Sequence, residues 1–256
     1  MRRALPALVL SLALLVTAGA TTAQASPARS LKLLPDLSTN TPSGFVITLD
    51  GTNRILRFNN EIDNGDIGVL ELFPKEGDCD GNGNADDDRY AYQQLYRDTN
   101  QDGMFERSID QKTKPFLAGC FVFHPEHNHW HFEDFSRYQL ARVSDGKIVR
   151  AADKVSFCIV DTVHRLPNVP GSPSHAYYTS CGATATTGLS VGWGDVYTWD
   201  LPGQELNVNG LPDGQYCFIS TADPDNRIIE TDDANNVATR LLQLTGNAVS
   251  DLGTSC

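Results

Sequence analysis

Turn-forming residues interrupt this chain so often that a long helix finds no room. Short runs of β-branched and aromatic residues alternate with Gly, Pro, Asn and Asp. Examples are Phe45-Val46-Ile47-Thr48-Leu49, Ile55-Leu56-Arg57-Phe58, Val69-Leu70-Glu71-Leu72-Phe73 and Val155-Ser156-Phe157-Cys158-Ile159-Val160. The turn Pro212-Asp213-Gly214 leads into Tyr216-Cys217-Phe218-Ile219, and a last run covers Val237 to Leu244. Such side chains suit a pleated surface, and the residues between them suit tight turns. The pattern predicts a mainly β fold: a β-sandwich core with long decorated loops and little helix.

The start of the chain reads differently. Arg2-Arg3 is followed by an apolar run from Ala4 to Ala18 and by small residues ending at Ala25. This is the three-part pattern of a secretory signal, so residues 1–25 are expected to be removed and residues 26–256 to form one domain. The apolar run is short for a membrane span, and none follows it. The six cysteines, Cys79, Cys120, Cys158, Cys181, Cys217 and Cys256, then read as disulfides of a secreted, extracellular protein. Spacing does not fix their pairing; Cys158 with Cys181 is the pair expected first. The net charge of −12 argues against nucleic acid or anionic membrane as a partner, because phosphate would be repelled. It favours cationic partners, amines and lysine-rich proteins among them, although acidity also serves solubility alone.

Four of the six histidines fall between Phe123 and Phe135. His127, His129 and His131 alternate, so on a strand they share one face while Trp130 and Phe132 turn to the core. Three neutral imidazoles suit copper, zinc, nickel or iron and leave positions open for water, oxygen or substrate. Imidazole alone does not choose among these metals. His124 is a fourth ligand, a donor supporting the site from behind or a structural loop residue, and Pro125 and Glu126 between it and His127 favour the last two. Glu133 and Asp134 either orient imidazole N–H groups or end the strand as exposed acids.

Two segments echo each other twenty positions apart, beginning at Asp78 and Asp98. Each has Asp or Asn at loop positions one, three and five and Gly at six, the opening of an EF-hand-type calcium loop. Neither has the acid expected at position twelve. Asp78, Asp80, Asn82, Asn84 and Asp86 make the first a candidate calcium site, with Asp87 and Asp88 adding charge; a solvated acidic loop is the other reading. The second reads equally as a turn joining paired strands at Tyr90–Arg97 and Met104–Ile109.

With these motifs in order, the chain resembles the catalytic domain of lysyl oxidases. His127-Asn128-His129-Trp130-His131-Phe132-Glu133-Asp134-Phe135-Ser136-Arg137-Tyr138 is similar to the family's copper motif. The segment from Lys154 to Thr162 resembles the one holding the cofactor lysine, and Gly188 to Tyr197 the one holding the cofactor tyrosine. The resemblance begins near Pro35-Asp36-Leu37 and continues through Pro224 and Glu230 to Val237, nearly the whole mature chain. It implies copper on His127, His129 and His131, and a lysine tyrosylquinone built from Lys154 and Tyr197. It implies a copper-dependent amine oxidase that converts primary amines, such as peptidyl lysine, to aldehydes, using oxygen and releasing hydrogen peroxide and ammonia. Asp195 and His175 are the candidate general bases. It also implies calcium on Asp36, the backbone of Leu37, Glu230, Asp232, Asn235 and Asn236, tying the first strand to the last.

The pattern departs from animal members, which carry cysteines where Glu126 and Trp193 stand here. The loop from Asp161 to Cys181 also differs, so the substrate pocket is not carried over. Two other functions compete: a non-catalytic secreted metal-binding module, and a zinc hydrolase. The retention of Lys154 and Tyr197 argues against the first; the lack of a helical His-Glu-x-x-His motif argues against the second.

Overall fold

A computed structural model describes residues 31–125, 128–253 and 256, with residues 153 and 154 described by their backbone alone. The expected leader at 1–25, His127 and the Lys154 side chain therefore lie outside the described residues.

The elements in chain order are β1 (Lys32–Leu33), β2 (Leu37–Thr39), β3 (Ser43–Asp50), β4 (Asn53–Asn64), β5 (Leu70–Lys75), β6 (Asp88–Gln93), β7 (Tyr96–Arg97), β8 (Gln111–Lys112), β9 (Phe116–His124), β10 (His129–Arg142), β11 (Ile148–Phe157), β12 (Val163–His164), β13 (Thr187–Leu189), β14 (Trp193–Tyr197), β15 (Glu205–Asn207), β16 (Gly214–Ala222), β17 (Val237–Thr245) and β18 (Ala248–Gly253). The one helical piece among the described residues is a single 3-10 turn, Asp233–Asn235, capped by the Asp232 side chain. The fold is mainly β, as the run-and-turn pattern predicts. Among the described residues, no helix is long and apolar enough to cross a membrane.

A nine-stranded antiparallel sheet runs β13-β5-β6-β9-β10-β16-β17-β18, with β11 also paired to β10. A six-stranded sheet is built around β4, which pairs with β2, β3, β14 and β15, while β12 joins β14. A small third sheet holds β1, β7 and β8. The two large sheets meet through aromatic rings. Phe58 of β4 lies 4.6 Å from the Tyr138 ring of β10 and 4.4 Å from the Phe218 ring of β16. Leu56, Leu140, Leu206 and Leu242 are fully or almost fully buried in the same cluster. Burying such side chains stabilises by roughly 1.5–3 kcal/mol each.

Cys158 is bonded to Cys181, the pair expected first. Cys79 is bonded to Cys120 and Cys217 to Cys256.

One strand expectation fails. Tyr96–Arg97 pairs with Gln111–Lys112, not with residues 104–109. The segment from Met104 is held as a turn instead. Asp110 accepts from the backbone N–H groups of Thr99 and Glu106, and the Phe105 ring packs edge-on against Tyr96 at 4.7 Å. Local side-chain caps here outcompete a strand ladder.

Candidate metal and cofactor site

The strand β10 begins with the histidines, and its alternation sorts them. His131 is buried and His129 half-buried on one face, while Trp130 and Phe132 are buried in the core. The Nε2 atoms of His129 and His131 lie 2.8 Å apart. Two ligands about 2.0–2.1 Å from one ion stand roughly 2.8–3.4 Å from each other, so this pair already has the spacing of one edge of a coordination shell. An N–H···N hydrogen bond accounts for the same spacing when no ion is bound.

Behind the pair, Ser156 of β11 bridges two imidazoles. Its Oγ lies 3.2 Å from Nδ1 of His131 and 3.0 Å from Nε2 of His124. The His124 and His131 rings stack at 4.2 Å. His124 thus sits behind His131, joined to it through Ser156 Oγ. Asp134 is buried rather than exposed at a strand end, in an ion pair with Arg227 at 3.1 Å.

The opposite wall comes from the other sheet. A cleft of about 240 Å³ between the sheets is lined by His129, His131 and Ser156 on one side and by Asp195, Tyr197 and Pro202 on the other. Tyr197 donates its hydroxyl to the Cys158 carbonyl at 2.9 Å and meets the Phe157 ring edge-on at 4.1 Å. Burial, with Asp195 nearby, holds its phenol well above the usual range. Asp195 is buried and its carboxyl is pushed up to about 7, chiefly by loss of solvation. The Val160 N–H and Thr162 hydroxyl donate to it at 3.2 and 3.1 Å and partly offset that rise. A carboxyl tuned in this way can take up and release a proton near neutral pH. His175, the other candidate base, is exposed, bonded to Ser174 and absent from the cleft lining.

Ser156 and Thr162 carried no role in the sequence. Both lie in an ordinary strand-and-turn stretch, and only strand register brings Ser156 beside His131 and only packing brings Thr162 beside Asp195.

A second grouping lies where β2 meets the turn before β17. Glu230 accepts from the Leu37 N–H at 2.6 Å and from Asn236 Nδ2 at 2.8 Å. Asn235 Nδ2 donates to Asp36 at 3.0 Å. The Oδ1 atoms of Asp36, Asn235 and Asn236 are buried with no hydrogen-bond partner. Burial raises the carboxyls of Asp36 and Glu230, the latter to about 7. Buried oxygens without donors are costly unless a cation meets them, so the donor set fits a hard ion such as calcium. The elements joined are the second strand and the turn before the seventeenth, not the first and last strands.

The acidic loop before β6 gathers carboxylate oxygens of Asp78, Asp80 and Asp88 within 4.8 Å of one another. Asn82 and Asn84 use their side-chain oxygens on the N–H groups of Asn84 and Asp86.

The family model for lysyl oxidase matches residues 83–253. The chain is 30% identical over 148 residues to protein-lysine 6-oxidase of Gallus gallus, covering 56% of this chain and 33% of that protein. The protein of that name from Sus scrofa is matched at the same identity, over 56% of each chain. Lysyl oxidase homolog 1 of Homo sapiens is 29% identical over 156 residues, 59% of this chain and 25% of its own. The match therefore spans between a quarter and just over half of these relatives' lengths. The ordered histidine, lysine and tyrosine motifs and the family match agree: this chain belongs to the lysyl oxidase family.

Proposed function

We propose that this chain is a copper-dependent amine oxidase acting on primary amines, with lysine side chains of proteins as the substrate class. The balanced reaction is RCH2NH2 + O2 + H2O → RCHO + NH3 + H2O2. His127, His129 and His131 would hold copper, and Lys154 and Tyr197 would be joined as the lysine tyrosylquinone. When bound, these groups supply the two-electron oxidation and its return to oxygen.

The observation that carries this reading is the shared cleft. Two imidazoles with ligand spacing face, across 240 Å³, the tyrosine that the family motif assigns to the cofactor. The protein's own groups have clear tasks there. Ser156 and His124 keep His131 turned with its Nε2 toward His129. The Cys158 carbonyl fixes the Tyr197 oxygen. Asp195 is the group suited to remove a proton from the substrate carbon, because it is buried, lines the cleft and titrates near neutral pH. Calcium on Asp36, the Leu37 backbone, Glu230, Asp232, Asn235 and Asn236 would hold the β2 corner. Three disulfides suit an exported protein, consistent with removal of residues 1–25 and with residues 26–256 working as one domain.

Mass spectrometry of copper-loaded protein tests the reading. A cross-linked peptide containing Lys154 and Tyr197 is expected, with peroxide release from a lysine-containing substrate that is lost in His129→Ala. Separate Lys154 and Tyr197 peptides at full copper occupancy would overturn it in favour of a non-catalytic metal-binding module.

A further inference from the structure

The two loops that echo each other in sequence are not alike in their unmet needs. Both fold the same way at first: Gly83 N–H donates to Asp78, and Gly103 N–H donates to Asp98, each at 2.9 Å. In the second loop both oxygens of Asp98 are used, since Gln101 N–H donates to Oδ1 at 2.6 Å. Both oxygens of Asp110 are likewise used, by Thr99 and Glu106 N–H. That loop is complete as a turn.

The first loop is not complete. Asp88 is fully buried, and its Oδ2 accepts from the Cys79 and Asp80 N–H groups at 2.7 and 2.6 Å. Its Oδ1 has no partner, and neither has the buried Oδ1 of Asp78. Carboxylate oxygens of Asp78, Asp80 and Asp88 converge within 4.8 Å. A carboxylate oxygen removed from water and left without a donor is costly, and three acids at this separation repel. One divalent cation removes both costs together.

We propose that Asp78, Asp80 and Asp88 bind a hard divalent cation of the calcium class, a site separate from Asp36 and Glu230 and independent of the oxidase reading. The ligands are all oxygen, and the exposed Asp80 leaves one side open for water, which suits calcium's need for six to eight ligands. The position gives the ion a structural task. Asp88 pairs with Val122 of β9, and Val122 pairs with His131 of β10. The Phe123 N–H donates to the Asp87 carbonyl at 2.8 Å, and the Cys79–Cys120 disulfide crosses from the loop to β9. An ion there braces the hairpin that presents the histidines.

Terbium(III) is a suitable probe, because the Tyr90 hydroxyl donates to the Asp78 carbonyl at 3.0 Å and can sensitise its emission. The Glu230→Gln protein isolates this loop from the other oxygen cluster. Tyrosine-sensitised emission is expected on adding terbium, displaced by excess calcium. Asp80→Asn and Asp88→Asn should each lose it, and Tyr90→Phe should lose most emission while still binding one metal equivalent by mass analysis. Asp80 is exposed, so its variant should match the parent in melting with chelator present, which separates loss of the ion from loss of the fold. Emission unchanged in Asp80→Asn and Asp88→Asn, or no terbium bound by the Glu230→Gln protein, would overturn the site.

Discussion

Ser156 Oγ stands 3.2 Å from Nδ1 of His131, on the side of the ring away from His129. A partner on the outer nitrogen fixes both the tautomer and the aim of the inner one. Ser156→Ala should therefore weaken copper binding by about 10–100-fold, measured by competition with a chromophoric chelator, while melting changes little. Equal affinity in both proteins would show that the hydroxyl does not orient the ligand.

Tyr197→Phe separates the metal from the cofactor. The variant should still bind copper, yet lack quinone absorbance and release no peroxide. Its stability should fall by about 1 kcal/mol, from the lost hydrogen bond to the Cys158 carbonyl. Visible spectra and denaturant melts read the two effects separately. A coloured, active Tyr197→Phe protein would exclude Tyr197 as the cofactor residue.

As the proposed base, Asp195 would link activity and stability to pH with opposite signs. As a base it must be ionised, so kcat/KM should rise with pH around the carboxyl's value of about 7 and vanish in Asp195→Asn. For stability, the folded protein holds this proton between the ordinary carboxyl range and about 7, where the unfolded chain has released it. Its contribution is therefore full at acid pH and lost as pH rises through about 7. Asp195→Asn should consequently melt higher than the parent at pH 8, on the order of a few kcal/mol, with the gap closing towards pH 4. A gap that widens on acidification would contradict this sign.

Chelation should expose the cost of the oxygens at the β2 corner. A hundredfold excess of calcium over its Kd stabilises by about 2.7 kcal/mol, which amounts to a few degrees in Tm for a chain of this size. Calorimetry with calcium and with chelator should show that rise in wild type and a smaller one in Asn235→Ala, whose Oδ1 is one of the buried oxygens without a donor. An identical rise in both would remove Asn235 from the site.

The strands were legible because the alternation of β-branched, aromatic and turn residues is local. Phe45 to Leu49 and Tyr216 to Ile219 could be read one residue at a time. The spacing of His129 and His131 was legible for the same reason: a strand alternates wherever it sits. The cleft was not. Tyr197 reaches it on β14 of one sheet and His131 on β10 of the other, and no local pattern states which strands will face each other. Family motifs supplied that pairing where periodicity could not. The hairpin drawn through Met104 failed because the chain spends its polar groups locally, on Asp110, before a ladder can use them. Asp88 is indistinguishable in sequence from its neighbouring acids, since only burial separates it from Asp86 and Asp87.

The Cys158 carbonyl that steadies Tyr197 belongs to a residue tied covalently to Cys181. Reduction would free that backbone and slacken the tyrosine's anchor. In the amine oxidase proposed above, colour and turnover would then depend on the compartment the chain reaches: among cellular thiols it would stay dormant, and export would become a step in its activation.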